Sequence, residues 1–120
     1  MERQDVTTIV LFEVPAQHAS RFLSDWTASN DFMKQQSGLI DGTLYATADD
    51  NARYRFINVA RWASETDLAE ARKRHWEHLE APSVNQREAW KTLGITVTPV
   101  NYAMVIIYSG TERAIEEEPR

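Results

Sequence analysis

Asn58 and Trp62 stand four residues apart in the run Tyr54-Arg55-Phe56-Ile57-Asn58-Val59-Ala60-Arg61-Trp62-Ala63-Ser64, which is rich in β-branched and aromatic residues. Such a run reads as a strand. Strand side chains alternate between faces, so Tyr54, Phe56, Asn58, Ala60 and Trp62 share one face, and Arg55, Ile57, Val59 and Arg61 share the other. A carboxamide among aromatics is costly to bury unless something bonds to it. Either a neighbouring backbone group satisfies Asn58, or a ligand does and Asn58 serves as a hydrogen-bond donor in a pocket. Trp62 offers a flat apolar face for stacking and an indole N–H as a second donor, although a tryptophan here also suits plain core packing. His75 is a third polar group on an apolar stripe, shared with Leu68 and Leu79. It is either packed and hydrogen-bonded or a titratable group facing a cavity. His75 and His78 lie three apart, but no acid or cysteine completes a set of ligands, so we expect no metal.

The elements that position these groups follow from periodicity. Val6 to Val14 alternates as a strand, with Val6, Thr8, Val10, Phe12 and Val14 on one face and Ile9 and Leu11 on the other. Pro15 suits the first turn of a helix. Ala19, Phe22, Leu23, Trp26, Asn30 and Met33 then form a helical stripe, with Gly38 as its C′ residue and Asn30 as a possible break. Phe22 and Trp26 are core by default and also candidates to wall a cavity. Leu39 to Thr47 is a second strand, in which Gly42 marks a bulge. The turn cluster Ala48-Asp49-Asp50-Asn51 joins it to the central strand as a hairpin.

Ser64 is a serviceable N-cap, with Glu65 and Asp67 in the first turn of a second helix. Leu68, Ala71, His75 and Leu79 mark its apolar face, and Pro82 ends it. The cluster Arg72-Lys73-Arg74 reads as a solvated face. Val84 to Leu93 is a further helical segment closed by Gly94. Ile95 to Ser109 is a long last strand interrupted by Pro99. The expected order is β-α-β-β-α-β with an extra helix: a ferredoxin-like α+β sandwich with an antiparallel sheet. Ile57, Val59 and the apolar half of the last strand are too hydrophobic to face water, so we expect a homodimer packed sheet against sheet, with strand exchange.

Composition sets the outer bounds. The 120 residues are 42% hydrophobic and 26% charged, as for one soluble domain spanning 1–120, with a core over about 6–109 and an acidic tail at 112–120. There is no cysteine, which removes disulfides and thiolate chemistry. The start, Met1-Glu2-Arg3-Gln4-Asp5, has neither a basic nor an apolar leader region, and no apolar run is long enough to span a bilayer. A cytoplasmic protein without a membrane partner is the expectation. A net charge of −5 argues against nucleic acid.

Asn58-Val59-Ala60-Arg61-Trp62 with the following Ser-Glu helix start, and the whole run Phe56 to Ala71 (FINVARWASETDLAEA), resembles the antibiotic biosynthesis monooxygenase family. The resemblance extends over roughly residues 6 to 109 in element order. It implies a dimeric α/β barrel in which each subunit has a cavity between sheet and helices. It also implies a cofactor-independent monooxygenase, which oxidises an aromatic phenol or anthrone to a quinone with O2 and without metal, flavin or haem. Asn58 and Trp62 match the asparagine and tryptophan that line the cavity of the family's anthrone oxygenases. Those enzymes also use a tyrosine and an arginine or histidine. Here Leu68 stands where the helix tyrosine would be, leaving His75 as the further catalytic candidate. Trp26, Phe22, Tyr45, Arg72 and Trp76 are the candidates for contacting a small aromatic substrate, with Tyr54 beside them on the hairpin.

Two other uses of the fold stay open. Haem-binding or haem-degrading relatives have a tryptophan at the strand end and a histidine on the next helix, which would make His75 an iron ligand, but they also carry an asparagine on the first strand, absent from Val6 to Val14. A non-catalytic, dimeric ligand-binding or stress-associated domain would explain the missing tyrosine.

Overall fold

Alternating apolar residues do build the expected strands. The computed structural model describes residues 5–79 and 86–111, with the backbone alone for Leu79. Its elements are β1 (Val6–Glu13), α1 (Ala19–Met33, preceded by a 3-10 turn at Ala16–His18), β2 (Leu39–Ala46), β3 (Phe56–Trp62), α2 (Glu65–Leu79), α3 (Gln86–Leu93) and β4 (Thr96–Tyr102). The strands form one antiparallel sheet in the order β2-β3-β1-β4. This is the ferredoxin-like α+β arrangement, with the two central strands contributed by the two β-α units. The end of the second helix at Pro82, the residues 84 and 85, the Leu79 side chain and the acidic tail lie outside the described residues.

β1 and β3 pair in register, Val6 with Trp62, Thr8 with Ala60, Val10 with Asn58 and Phe12 with Phe56. Antiparallel partners point to the same face, so these four rows make the inner face of the sheet. Two core clusters occupy its ends. At one end Phe12, Phe56, Phe22, Val14, Trp90 and Ile95 pack together. At the other, Val6, Trp62, Ala60, Leu68 and Ala71 do so. The Val10–Asn58 row lies between them, and the Thr8–Ala60 row borders the second.

Local caps hold the helices where the sequence placed them. Ser64 Oγ accepts the Asp67 N–H at 3.0 Å and fixes the start of α2. Gly94, at φ +82°, ends α3: its N–H reaches Lys91 O at 3.1 Å and the Ile95 N–H reaches Trp90 O at 2.9 Å. That pair of bonds is the Schellman arrangement, for which glycine is favoured.

Several expectations are corrected. α1 runs unbroken through Asn30, because the stripe around it is anchored by Phe22, Trp26 and Met33. Leu23 is exposed, one step off that stripe. Lys34 rather than Gly38 closes the helix, its N–H bonding Asn30 O. Gly38 takes φ +95° in the turn before β2, where a Cβ would collide with Asp67. The β2 bulge falls between Leu39 and Asp41, two residues ahead of Gly42. Gly42 instead allows close approach, since a Cβ there would meet Ala60 Cβ and Val59 O at 3.3 Å.

The central strand starts at Phe56, leaving Tyr54 in the hairpin loop beneath the Arg53 guanidinium, 5.2 Å from its ring centroid. The last strand stops at Tyr102, and the apolar run that follows has no paired backbone. Val105, Ile106, Ile107 and Tyr108 are 88%, 76%, 74% and 89% exposed, so none of the described residues covers them. Pro99 is accommodated because β4 is an edge strand.

Candidate active site

Between the two core clusters the layer of helix side chains does not close over the sheet, and a cavity of about 780 Å³ remains. Its floor is the inner sheet face, at Thr8, Val10, Asn58, Ala60 and Trp62. α1 contributes Trp26, Asn30 and Met33; α2 contributes Leu68, Arg72, His75 and Trp76; α3 contributes Trp90. The volume suits a drug-sized aromatic ligand, and the wall is largely apolar with a few polar groups, as small-molecule sites are.

The polar groups on that wall carry the chemistry. Neither the Asn58 carboxamide nor the Trp62 indole N–H has a hydrogen-bond partner among the described residues. Both are two-residue neighbours of Ala60 along β3, so both donors rise from one strand into one space. Asn30 adds a second unpartnered carboxamide from the opposite, helical wall. Trp90 is different, because its indole N–H donates to Asp25 Oδ2 at 2.8 Å and is occupied.

His75 borders the cavity from α2, its ring centroid 5.9 Å from that of Phe32. Its Nε2 is closed off from solvent and has no hydrogen-bond partner among the described residues, which leaves Nδ1 as the nitrogen open to a proton donor. Burial, and secondarily the nearby His78, push its pKa below the ordinary histidine value of 6.5. The imidazole is therefore neutral at pH 7, the form that can accept a proton. In the unfolded chain it takes up a proton more readily than in the native one. The stability this contributes is thus complete above about pH 6.5 and is lost as pH falls through the lowered native value. Urea titrations between pH 7.5 and 5 should show that loss, and His75→Gln should flatten it relative to the parent.

The sequence candidates sort by geometry. Asn58, Trp62, His75, Trp26, Arg72 and Trp76 all border the cavity. Phe22 does not: it is fully buried beneath Phe12, Phe56 and Trp90 and is closed off from any ligand. Tyr45 pairs with Ile57, which puts it on the outer face of the sheet, 56% exposed and away from the cavity. The Arg72-Lys73-Arg74 cluster is not one solvated face. Lys73 and Arg74 are exposed, while Arg72 turns inward and donates from Nη2 to Thr8 Oγ1 at 3.0 Å. The spacing held that information, since Leu68, Arg72 and His75 fall at i, i+4 and i+7 on one stripe. Thr8, Asn30 and Trp90 were not singled out as site residues from sequence. Thr8 was legible only as a lone hydroxyl in the alternation of β1, and Trp90 only as the apolar centre of a polar helix.

No protein-family model matches the sequence, and no curated protein matches it at a significant level. Solved structures do. A candidate monooxygenase of Shewanella loihica is 30% identical, superposes with a TM-score of 0.73, and covers 89% of this chain and 100% of its own. The chain belongs to the antibiotic biosynthesis monooxygenase family. A candidate antibiotic biosynthesis monooxygenase of Nitrosomonas europaea matches at 16% identity and TM-score 0.66, over 88% of this chain and 94% of that one. SnoaB of Streptomyces nogalater, a cofactor-independent oxygenase, matches at 18% identity and TM-score 0.60, over 87% and 96%. The last two likenesses are of fold alone. Among the described residues no helix of this family member is long and apolar enough to cross a membrane.

Proposed function

We propose that this protein is a cofactor-independent monooxygenase that oxidises a flat phenolic or anthrone-like substrate to a quinone with O2. The observation that carries the reading is the pair of unpartnered donors, Asn58 and Trp62, rising from one strand into an aromatic-walled cavity. Family membership and the likeness to SnoaB support it. An anthrone brings its own electrons. Loss of a ring-carbon proton leaves a carbanion whose charge spreads to the carbonyl oxygen as an enolate. That anion passes one electron to O2, and the two radicals recombine as a peroxide. The peroxide breaks its O–O bond with loss of water, and the former CH2 carbon becomes the second quinone carbonyl. One O2 supplies both the new carbonyl oxygen and the water.

The protein's tasks are then to bind, polarise and keep dry. Asn58 donates to the enolate oxygen, which gains charge as the proton leaves. Trp62 stacks on the substrate plane and offers its N–H to the peroxide. His75, neutral and on the wall, is the base that takes the proton. The remaining aromatics exclude bulk water. An oxygen electrode with a series of anthrones tests this: one O2 should disappear per quinone formed, and no uptake with any of them removes the reading. Haem binding through His75 has less support, because its Nε2 is closed off. A Soret shift on adding haem, abolished in His75→Ala, would revive it.

The working unit is a homodimer on this reading. Ile9 and Leu11 of β1, Ile57 and Val59 of β3 and Val100 of β4 form an outer sheet face that belongs to neither core cluster. Together with the exposed apolar arm from Met104 to Tyr108, it offers apolar surface that a second copy would bury. Light scattering should give twice the chain mass, and Ile106→Asp should shift the protein towards monomer. A monomeric parent at micromolar concentration defeats this proposal.

A further inference from the structure

Arg72 lies in the cavity wall and has no counter-ion among the described residues. It is half-buried, and burial pushes its pKa down, with no acid among the described residues close enough to oppose that cost. Among the described residues its side chain bonds Thr8 Oγ1, a buried hydroxyl that orients the guanidinium but does not neutralise it. No carboxylate among the described residues lies within ion-pair distance of it. The other cations on the cavity border are occupied: Lys34 meets Asp31 at 3.1 Å, and Arg87 stacks 4.0 Å from the centroid of Trp76. Asp41, the one acidic residue on that border, bonds Arg61 through both oxygens at 3.0 and 2.9 Å. In a chain of net charge −5, the cavity is thus lined by an excess of positive charge.

We infer that the ligand of this cavity carries an ionised carboxylate on its aromatic frame, bound by the Arg72 guanidinium. The inference rests on the reading of the cavity as a site for a flat aromatic molecule and adds the charge of that molecule. A guanidinium has five N–H donors in a planar fork, and one bond to Thr8 leaves enough of them for a two-point contact with a carboxylate. Position agrees with this. Thr8 pairs with Ala60, one row from Asn58 and one row from Trp62. With strands about 4.8 Å apart and about 6.7 Å per two residues, the Thr8 position that anchors Arg72 lies diagonally about 8 Å from the Asn58 position, within the span of a fused aromatic frame. A carboxylate at Arg72 therefore sets the substrate's register, with the adjoining ring over Asn58. Desolvating a guanidinium becomes useful only when an anion arrives, so the same feature rejects neutral analogues.

All four tryptophans border the cavity, so their fluorescence reports occupancy. Titrating the protein with an anthraquinone carboxylate and with the matching carboxamide compares two ligands of one shape and different charge. We expect the carboxylate to bind at least about 10-fold tighter, and Arg72→Gln to bring the two affinities together. Equal binding to the parent, or a preference that survives Arg72→Gln, overturns the inference. If Arg72→Gln does not fold, the comparison on the parent protein decides alone. No oxygen is consumed in this titration. An inactive protein that still prefers the carboxylate keeps this inference and loses the oxygenase reading, while turnover of neutral anthrones without any charge preference does the reverse.

Discussion

Replacing Asn58 by alanine should lower the oxygen-uptake rate with an anthrone about 100-fold, the usual effect of deleting one preorganised donor to a developing oxyanion. The reason lies in what the side chain does not do in the folded protein. It borders a cavity and its carboxamide bonds to no described residue, which leaves its hydrogen bond free for a molecule in the cavity. Its loss should also leave the fold intact. Asn58 belongs to neither core cluster, and its strand pairing runs through the backbone to Val10 and Leu44. The thermal midpoint should therefore move by no more than a few degrees, and the defect should appear in kcat more than in KM, because charge on the oxygen grows towards the transition state. Stopped-flow absorbance of the quinone product measures both. An Asn58→Ala protein that turns over at the parent rate would take the donor role away from this residue.

Phe22→Ala should have the opposite profile, a large loss of stability from a residue that never meets substrate. Phe22 is fully buried, with ring centroids 4.8 Å from Phe12, 4.7 Å from Phe56 and 5.0 Å from Trp90. These contacts join α1, both central strands and α3 at one point. Truncation removes the transfer free energy of a phenyl ring and leaves a hole between rings that cannot all move in. The expected cost is about 3–5 kcal/mol, or a drop in thermal midpoint of about 10–20 °C for a chain of this size. Urea unfolding followed by tryptophan fluorescence gives the number, with Trp90 as the local probe. A loss below about 1 kcal/mol would mean that the cluster collapses around the gap more freely than close packing allows.

These two residues show where sequence reading works. Spacing alone identifies both. For Asn58 the alternation along Phe56–Trp62 was enough to assign the face. For Phe22 the helical stripe assigned burial but not depth, so a cavity-wall role looked open until Phe12, Phe56 and Trp90 closed around it. Tyr45 fails for a related reason. Its face depends on the β2–β3 register, which the bulge between Leu39 and Asp41 shifts, and a one-residue shift exchanges the faces of a strand. The arm after Tyr102 has the composition of a strand but no pairing neighbour among the described residues, and composition cannot supply a partner.

The sequence by itself determined the element order, the two faces of the central strand, the cap at Ser64 and the stop at Gly94, because each depends on residues a few positions apart. Only the tertiary structure decided that the sheet face around Asn58 lines a cavity between two packed clusters. That depends on where α1 and α2 lie across the sheet, a distance set by long-range packing. It decided the same for Arg72. A charge run reads as a solvated surface until one member is found turned inward, bonded to a hydroxyl 64 residues earlier and facing a cavity.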